Sequence, residues 1–161
     1  MELSKTGLAG EYYALAQLTA RDYNASLTLG NTKGVDILVY NEQNKKGYKV
    51  EVKTTTNKST NAKMYKDWHP NKVYYWIMSS KHESIIEDYL VYCFVHMEDI
   101  KTLLKFFLVP SKEVAKYVRE QHVFYHKIPR NKPVKDGPMR IFRIDLDDPK
   151  GYENNWGILD K

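Results

Sequence analysis

Two β-branched runs constrain this chain more than anything else in it: residues 35–40, Val-Asp-Ile-Leu-Val-Tyr, and residues 48–55, Tyr-Lys-Val-Glu-Val-Lys-Thr-Thr, joined by the polar, glycine-terminated connection 41–47. Such runs fit a pleated surface, and a connection of this length and composition suits a hairpin. Side chains alternate along a strand, so Val50 and Val52 point to one face while Lys49, Glu51 and Lys53 point to the other. On the partner run Val35, Ile37 and Val39 share a face and Asp36 lies opposite. A paired hairpin therefore brings Asp36 beside Glu51, with Lys53 next to both.

Upstream, Leu8, Tyr12, Leu15 and Leu18 recur at helical spacing between residue 4 and about residue 20, with Ser4 or Thr6 available as N-cap. Glu11 falls on or beside that apolar stripe. A carboxylate there needs a partner, because desolvating an unpaired charge costs several kcal/mol, much of the margin that holds a small domain folded. Lys53, or an ion bound beside it, can be that partner.

Neighbouring carboxylates repel unless something positive sits between them, and hard oxygen donors of this kind suit Mg²⁺ or Mn²⁺. An ion so held acidifies water and neutralises charge developing on a phosphoryl group, while Lys53 orients the water or stabilises the transition state. This is the chemistry of phosphodiester hydrolysis. The plain structural alternative is a solvated strand face on which Asp36 forms a cross-strand ion pair with Lys49 or Lys53.

The arrangement resembles the PD-(D/E)xK nuclease superfamily, the restriction-endonuclease-like fold shared with archaeal-type Holliday junction resolvases. The residues that carry the resemblance are Gly34-Val-Asp36 and Val50-Glu-Val-Lys53 on successive strands, preceded by a helix bearing Gly10-Glu11, so that it covers residues 4–56. The name-giving proline is replaced by Val35. The resemblance implies that Asp36 and Glu51 bind a divalent ion, that Lys53 assists the attacking water and that Glu11 completes the site. It also implies a homodimer. The expected activity is a metal-dependent DNA endonuclease. RNA fits the same chemistry, since attack on phosphorus does not require the 2′-hydroxyl, and a non-catalytic nucleic-acid-binding module that has kept the fold is the second class to weigh.

The rest of the chain reads as strands at 25–30, 73–78, 89–97, 106–109 and 139–144, with a short helix at 98–104 and another from Pro110 to Gln121. That second helix has Ser111 as N-cap and Val114, Tyr117 and Val118 on one face. Turn residues at 30–34 and at 130–138 argue loops. The expectation is an α/β fold: a central mixed β-sheet flanked by helices, in one nuclease-like domain spanning 1–161 with a tail from about residue 145.

With 161 residues, 42% of them hydrophobic, the chain has enough apolar area for one packed core, and a net charge of +5 favours an anionic partner such as DNA. Cys93, alone in an apolar run, excludes a disulfide framework or a cysteine-rich zinc site and reads as a buried thiol. The first residues show no apolar signal region, and no stretch approaches the roughly 18 consecutive apolar residues of a membrane span, so cytoplasm is expected and membrane is not.

Lys58, Lys63, Lys66 and Lys72, interspersed with Tyr65, Trp68 and His69, either contact nucleic acid or simply face solvent, and Arg130 and Lys132, with Lys127 and Lys135, offer the same choice. His122 and His126 stand one helical turn apart, but no third ligand lies near them in the sequence and Pro129 follows, which favours a surface or packing role. Tyr74, Tyr75 and Trp76 read as core and sheet-surface residues. Trp156 is expected to dock the tail onto the domain.

Overall fold

A computed structural model describes residues 3–28, 34–99, 103–131 and 134–161. Its elements are α1 (Leu3–Thr19), β1 (Asn24–Leu27), β2 (Ile37–Asn41), β3 (Lys46–Thr55), β4 (Thr60–Asn61), β5 (Lys72–Ser79), β6 (Leu90–His96), β7 (Lys105–Pro110), α2 (Ser111–Lys127) and β8 (Met139–Asp145), with 3₁₀ turns at Lys63–Tyr65, Ser80–Glu83 and Trp156–Asp160. Five strands form one sheet in the order β1-β2-β3-β6-β7, and β4-β5-β8 form a second. In the first sheet only the β3–β6 pair is parallel. This is the mixed α/β architecture expected, with a second sheet added.

The hairpin pairs Ile37 with Val50 and Val39 with Tyr48. Period-2 alternation then divides β3. Tyr48, Val50 and Val52 join Ile37, Val39, Val91, Cys93, Val95 and Leu108 in a core packed under Ala14 and Leu18 of α1 and under Trp156, Ile158 and Leu159 of the tail. The opposite face of the sheet presents Tyr92, Phe94 and Phe107 to Trp76, Met78, Phe142 and Ile144 of the second sheet and to Val114 and Val118 of α2. Strand β6, buried on both faces along its whole length, accounts for its unbroken apolar sequence. Cys93 is buried as expected, and Trp156 docks the tail, which is fastened by Asn41 Nδ2 donating to the Leu159 carbonyl at 2.9 Å and by the Tyr48 hydroxyl donating to the Lys161 carbonyl.

Helix α1 departs from expectation. Leu8 and Tyr12 are exposed, and the buried seam is Thr6, Gly10, Ala14 and Leu18, an i, i+4 row of mostly small residues. Small residues let the helix backbone approach the sheet closely. A Cβ on Gly10 would lie 1.8 Å from Thr54 Oγ1 and 2.9 Å from Thr54 Cβ. Because α1 begins at Leu3, Ser4 and Thr6 lie inside the helix and do not cap it.

Other differences are local. Pro110 occupies the N-cap of α2, and the Ser111 hydroxyl instead accepts from the Glu87 amide at 2.9 Å and donates to the Glu87 carbonyl at 2.8 Å. Helix α2 also runs past Gln121 to Lys127. Of the short helix expected at 98–104, residues 100–102 lie outside the described residues and the remainder is not helical. The turn at 30–34 likewise lies outside them except for Gly34, whose φ of 75° is left-handed. Among the described residues, no helix is long and apolar enough to cross a membrane.

Replacing Gly10 by Ala forces α1 and β3 apart. The expected cost is about 1–3 kcal/mol in urea unfolding, with Thr54→Ala added to it recovering part of the loss because only Cβ remains in the way.

Candidate active site

Asp36 directly precedes β2 and continues its bonding pattern. Its amide donates to the Val50 carbonyl at 2.9 Å and its carbonyl accepts from the Thr28 amide at 2.9 Å, so the backbone is held from both sides. Its side chain turns toward β3, where Oδ2 accepts from the Val52 amide at 2.7 Å. Since β2 pairing ends at Ile37 opposite Val50, the far half of β3 is open on that side, and Asp36 sits at the mouth of the opening, next to Glu51.

Glu51 is only 2% exposed and lies on the second-sheet face of β3. Lys53, two residues on and so on the same face, places Nζ 2.6 Å from Glu51 Oε1. The solvated-face reading of Glu51 is therefore wrong, because the second sheet and the 3₁₀ turn after β5 cover it. That turn supplies His82, 3% exposed, whose Nε2 lies 3.4 Å from the same Oε1. The ring is fixed from behind, with Nδ1 3.1 Å from the Ser79 amide and 2.9 Å from the Ser79 carbonyl.

Sequence reasoning missed His82, a lone histidine in a charged connection 31 positions from its partner. No local pattern marks it. Lys81, beside it, is a further cation whose field reaches Asp36.

Burial by itself raises the Glu51 carboxyl, but the His82 hydrogen bond and the Lys53 ammonium outweigh it and bring Glu51 down to about 2. Asp36 goes the other way: burial raises it, helped by the Glu51 charge, against the Val52 amide and Lys53. Glu11 is raised as well, by burial and then by Asp36, with Lys53 opposing. The field of Asp36 and Lys53 at Glu11 places the α1 carboxylate in the same group. Asp36, Glu51 and Lys53 thus lie together at the start of β2 and the middle of β3, with Glu11 of α1 near enough for Asp36 and Lys53 to act on it electrostatically.

Two observations bear on a cation here. Glu51 Oε2 and the Tyr92 hydroxyl are buried and make no well-formed hydrogen bond among the described residues, although the two groups face each other closely enough that burial, the Glu51 charge and a weak hydrogen bond to Glu51 push the hydroxyl up. Gly34 leaves room at that oxygen, since a Cβ there would come within 3.6 Å of Oε2. The donors are hard oxygens and fit Mg²⁺ or Mn²⁺. They are not drawn together, however: among the described residues, only His122, His126 and Asp136 place three such ligand atoms within 4.8 Å of one another. Lys53 occupies Glu51 Oε1 and the Val52 amide occupies Asp36 Oδ2, so the oxygens left to share an ion are Glu51 Oε2 and those of Asp36 and Glu11 not so engaged.

The basic residues are placed as follows. Lys58, Lys63, Lys66 and Lys72 are exposed, between β3 and the start of β5. Tyr65 and His69 between them are buried, contrary to a loop that offers its aromatics to a partner: Tyr65 packs with Ala62 and Val73 against Phe124, and His69 bridges Asp145 Oδ2 at 2.9 Å and the Tyr117 hydroxyl at 2.7 Å. Arg130 lies with its guanidinium 4.0 Å from the Tyr125 ring centroid. Lys132 lies outside the described residues. The expectation that His122 and His126 lack a third ligand is also corrected, because the loop after α2 folds back and sets Asp136 Oδ1 3.0 Å from His122 Nε2.

No family profile matches the sequence, and no curated protein matches it. Among solved structures, the chain is similar to a bacterial homing endonuclease, I-Ssp6803I, at a TM-score of 0.54 and 13% identity over 99% of this chain and 92% of that one. A likeness at that identity shows a shared fold.

The signs of the shifts give a stability test. Glu51 is depressed on folding, so its contribution is fully present above its ordinary value near 4.5 and is lost as pH falls toward about 2. This amounts to at most about 3 kcal/mol. Urea unfolding of Glu51→Gln is expected to lose that slope between those pH values. Asp36 is raised, so its ionised form destabilises at neutral pH, and Asp36→Asn, which keeps an acceptor for the Val52 amide, is expected to unfold at higher urea than the parent at neutral pH, with the gain vanishing in acid.

Proposed function

We propose that this protein is a metal-dependent phosphodiesterase of the PD-(D/E)xK type, an endonuclease acting on DNA through one domain that spans residues 1–161. The observation that carries the reading is Glu51: a carboxylate held ionised at 2% exposure, with one oxygen on Lys53 and His82 and the other, beside the Tyr92 hydroxyl, making no well-formed hydrogen bond among the described residues. A structural ion pair satisfies both oxygens, whereas a ligand site leaves one for the ligand. The fold shared with a solved homing endonuclease supports the nuclease class.

Glu51 and Asp36, with Glu11 as supplement, would hold Mg²⁺ or Mn²⁺, which when bound supplies an acidified water and charge neutralisation at the phosphate. The protein's own part follows from the geometry. Lys53 directs a proton-bearing nitrogen into the space beside Glu51, where it orients the attacking water and meets the negative charge that builds on the phosphoryl oxygens. His82 keeps Oε1 turned toward Lys53, which leaves Oε2 buried beside Gly34 and Tyr92. Burial, and then neighbouring negative charge, raise the Asp36 and Glu11 carboxyls, and a bound cation would relieve that penalty. Lys58, Lys63, Lys66 and Lys72, with Arg130 and Lys132, would supply phosphate contacts, while a second copy of the chain would present a second site to the other strand.

Single-stranded, duplex and branched DNA, with RNA as a comparison, are expected to be cut in Mn²⁺ or Mg²⁺ by the parent protein. Asp36→Ala and Lys53→Ala should each lose at least about 100-fold in rate. If nothing is cut, and calorimetry finds no more Mn²⁺ bound than in Asp36→Ala, a non-catalytic nucleic-acid-binding module replaces this reading. DNA affinity is expected to fall with salt, and alanine at any one of Lys58, Lys63, Lys66 or Lys72 should reduce the slope of log K against log salt by about 1. An affinity indifferent to salt would remove these lysines from the interface.

A further inference from the structure

Away from the acidic site, His122 and His126 project from the last turns of α2 with ring centroids 4.5 Å apart. The chain leaves the helix at Ile128 in an extended conformation and returns along it. Asp136 Oδ1 then stands 3.0 Å from His122 Nε2 and 3.8 Å from His126 Nε2. Two imidazole nitrogens and one carboxylate oxygen thus come together at the surface, all within 4.8 Å of one another, the side chains of His122, His126 and Asp136 being 19%, 31% and 69% exposed.

The separations discriminate between ligand types. Tetrahedral bonds of about 2.0–2.1 Å place neighbouring donor atoms ~3.3 Å apart, and the two distances from Asp136 lie either side of that value. Histidines one helical turn apart bind through one face of the helix without a change in backbone. Arg140 Nη2 lies 3.9 Å from Oδ1, beyond hydrogen-bond distance, while its Nε donates to Glu83 and its Nη1 to the Gly137 carbonyl at 2.6 Å and the Met139 carbonyl at 3.0 Å; the Asp136 side chain itself is 69% exposed. Asp136 therefore has room for another positive partner.

We propose that His122, His126 and Asp136 form a second metal site, for a borderline transition-metal ion of which Zn²⁺ is the leading occupant, with water in the fourth position. Imidazole donors separate it chemically from the all-oxygen site at Glu51, which suits Mg²⁺ and Mn²⁺. The ion fastens the loop that follows α2, including Asp136 and its neighbour Lys135, onto the helix. Its role is architectural: it fixes the path of a basic loop and does not act on the phosphate.

Metal-freed full-length protein is titrated with Zn²⁺ by calorimetry at neutral pH, and Co²⁺ loading is followed by visible absorption. Binding of one Zn²⁺ and a d–d band of four-coordinate cobalt are expected. His122→Ala, His126→Ala and Asp136→Asn each should weaken Zn²⁺ by more than the roughly 10- to 100-fold that loss of an outer hydrogen-bond partner costs, with circular dichroism unchanged. Glu51→Gln should bind Zn²⁺ as the parent does. Failure to take up Zn²⁺ would overturn the proposal and leave a histidine–aspartate contact, as would uptake that survives all three substitutions or disappears in Glu51→Gln.

Discussion

A charged carboxylate inside a protein has to be surrounded before it can be tolerated, and much of this molecule is arranged around one. Glu51 lies between the two sheets, where an isolated charge would neutralise itself by taking a proton. Lys53 comes from the same strand face and His82 from the turn after β5, and together they reverse the effect of burial on Glu51. Neither would suffice from a flexible position. Lys53 is fixed because β3 is an inner strand with β6 paired along its length, and His82 is fixed by Ser79 and by the second sheet that carries the turn. The two-layer architecture is thus also an electrostatic device: the layer that buries Glu51 supplies its partner.

The opposite side of β3 is governed by contact distance. Gly10 allows α1 to lie directly on Thr54, and its neighbour Glu11 is thereby brought within the field of Lys53 and Asp36. A larger residue at position 10 would lift the helix and withdraw Glu11 from the group, although nothing about Glu11 itself had changed. Packing and chemistry are adjacent residues here, which explains why a helix with an exposed Leu8 and Tyr12 keeps a glycine in its interior despite the helix propensity this forfeits.

What the sequence reveals of this arrangement is the part written in local periodicity. The hairpin register and the faces of Asp36, Glu51 and Lys53 follow from alternation, and the unbroken apolar run of β6 follows from burial on both faces. The seam of α1 does not, because Thr6, Gly10 and Ala14 carry little apolar signal, while Leu8 and Tyr12 carry a strong one and face solvent. Strand β4, two residues long, is set by pairing with β5 and has no pattern of its own. Tyr65 and His69 have the composition of a binding loop, yet Phe124, Asp145 and Tyr117, from distant parts of the chain, bury them. His82 and Asp136 belong to the same category. Their partners lie across loops, and only the folded chain brings them within reach.

The 3₁₀ turn at Ser80–Glu83 shows how such remote groups are connected. Its Ser80 amide donates to the Pro138 carbonyl at 2.7 Å, its Glu83 carboxylate receives Arg140, and its Glu83 carbonyl accepts from Arg119 of α2 at 3.3 Å. Arg140 in turn holds the Gly137 carbonyl, one residue beyond Asp136. The loop that carries Asp136 and the turn that carries His82 are therefore parts of one hydrogen-bonded unit, with α2 behind both. His82 is the member of that turn that touches Glu51, its Nε2 3.4 Å from Oε1. The buried carboxylate is thus linked to a surface loop by a short chain of directed bonds, a connection that strand pairing alone would not supply.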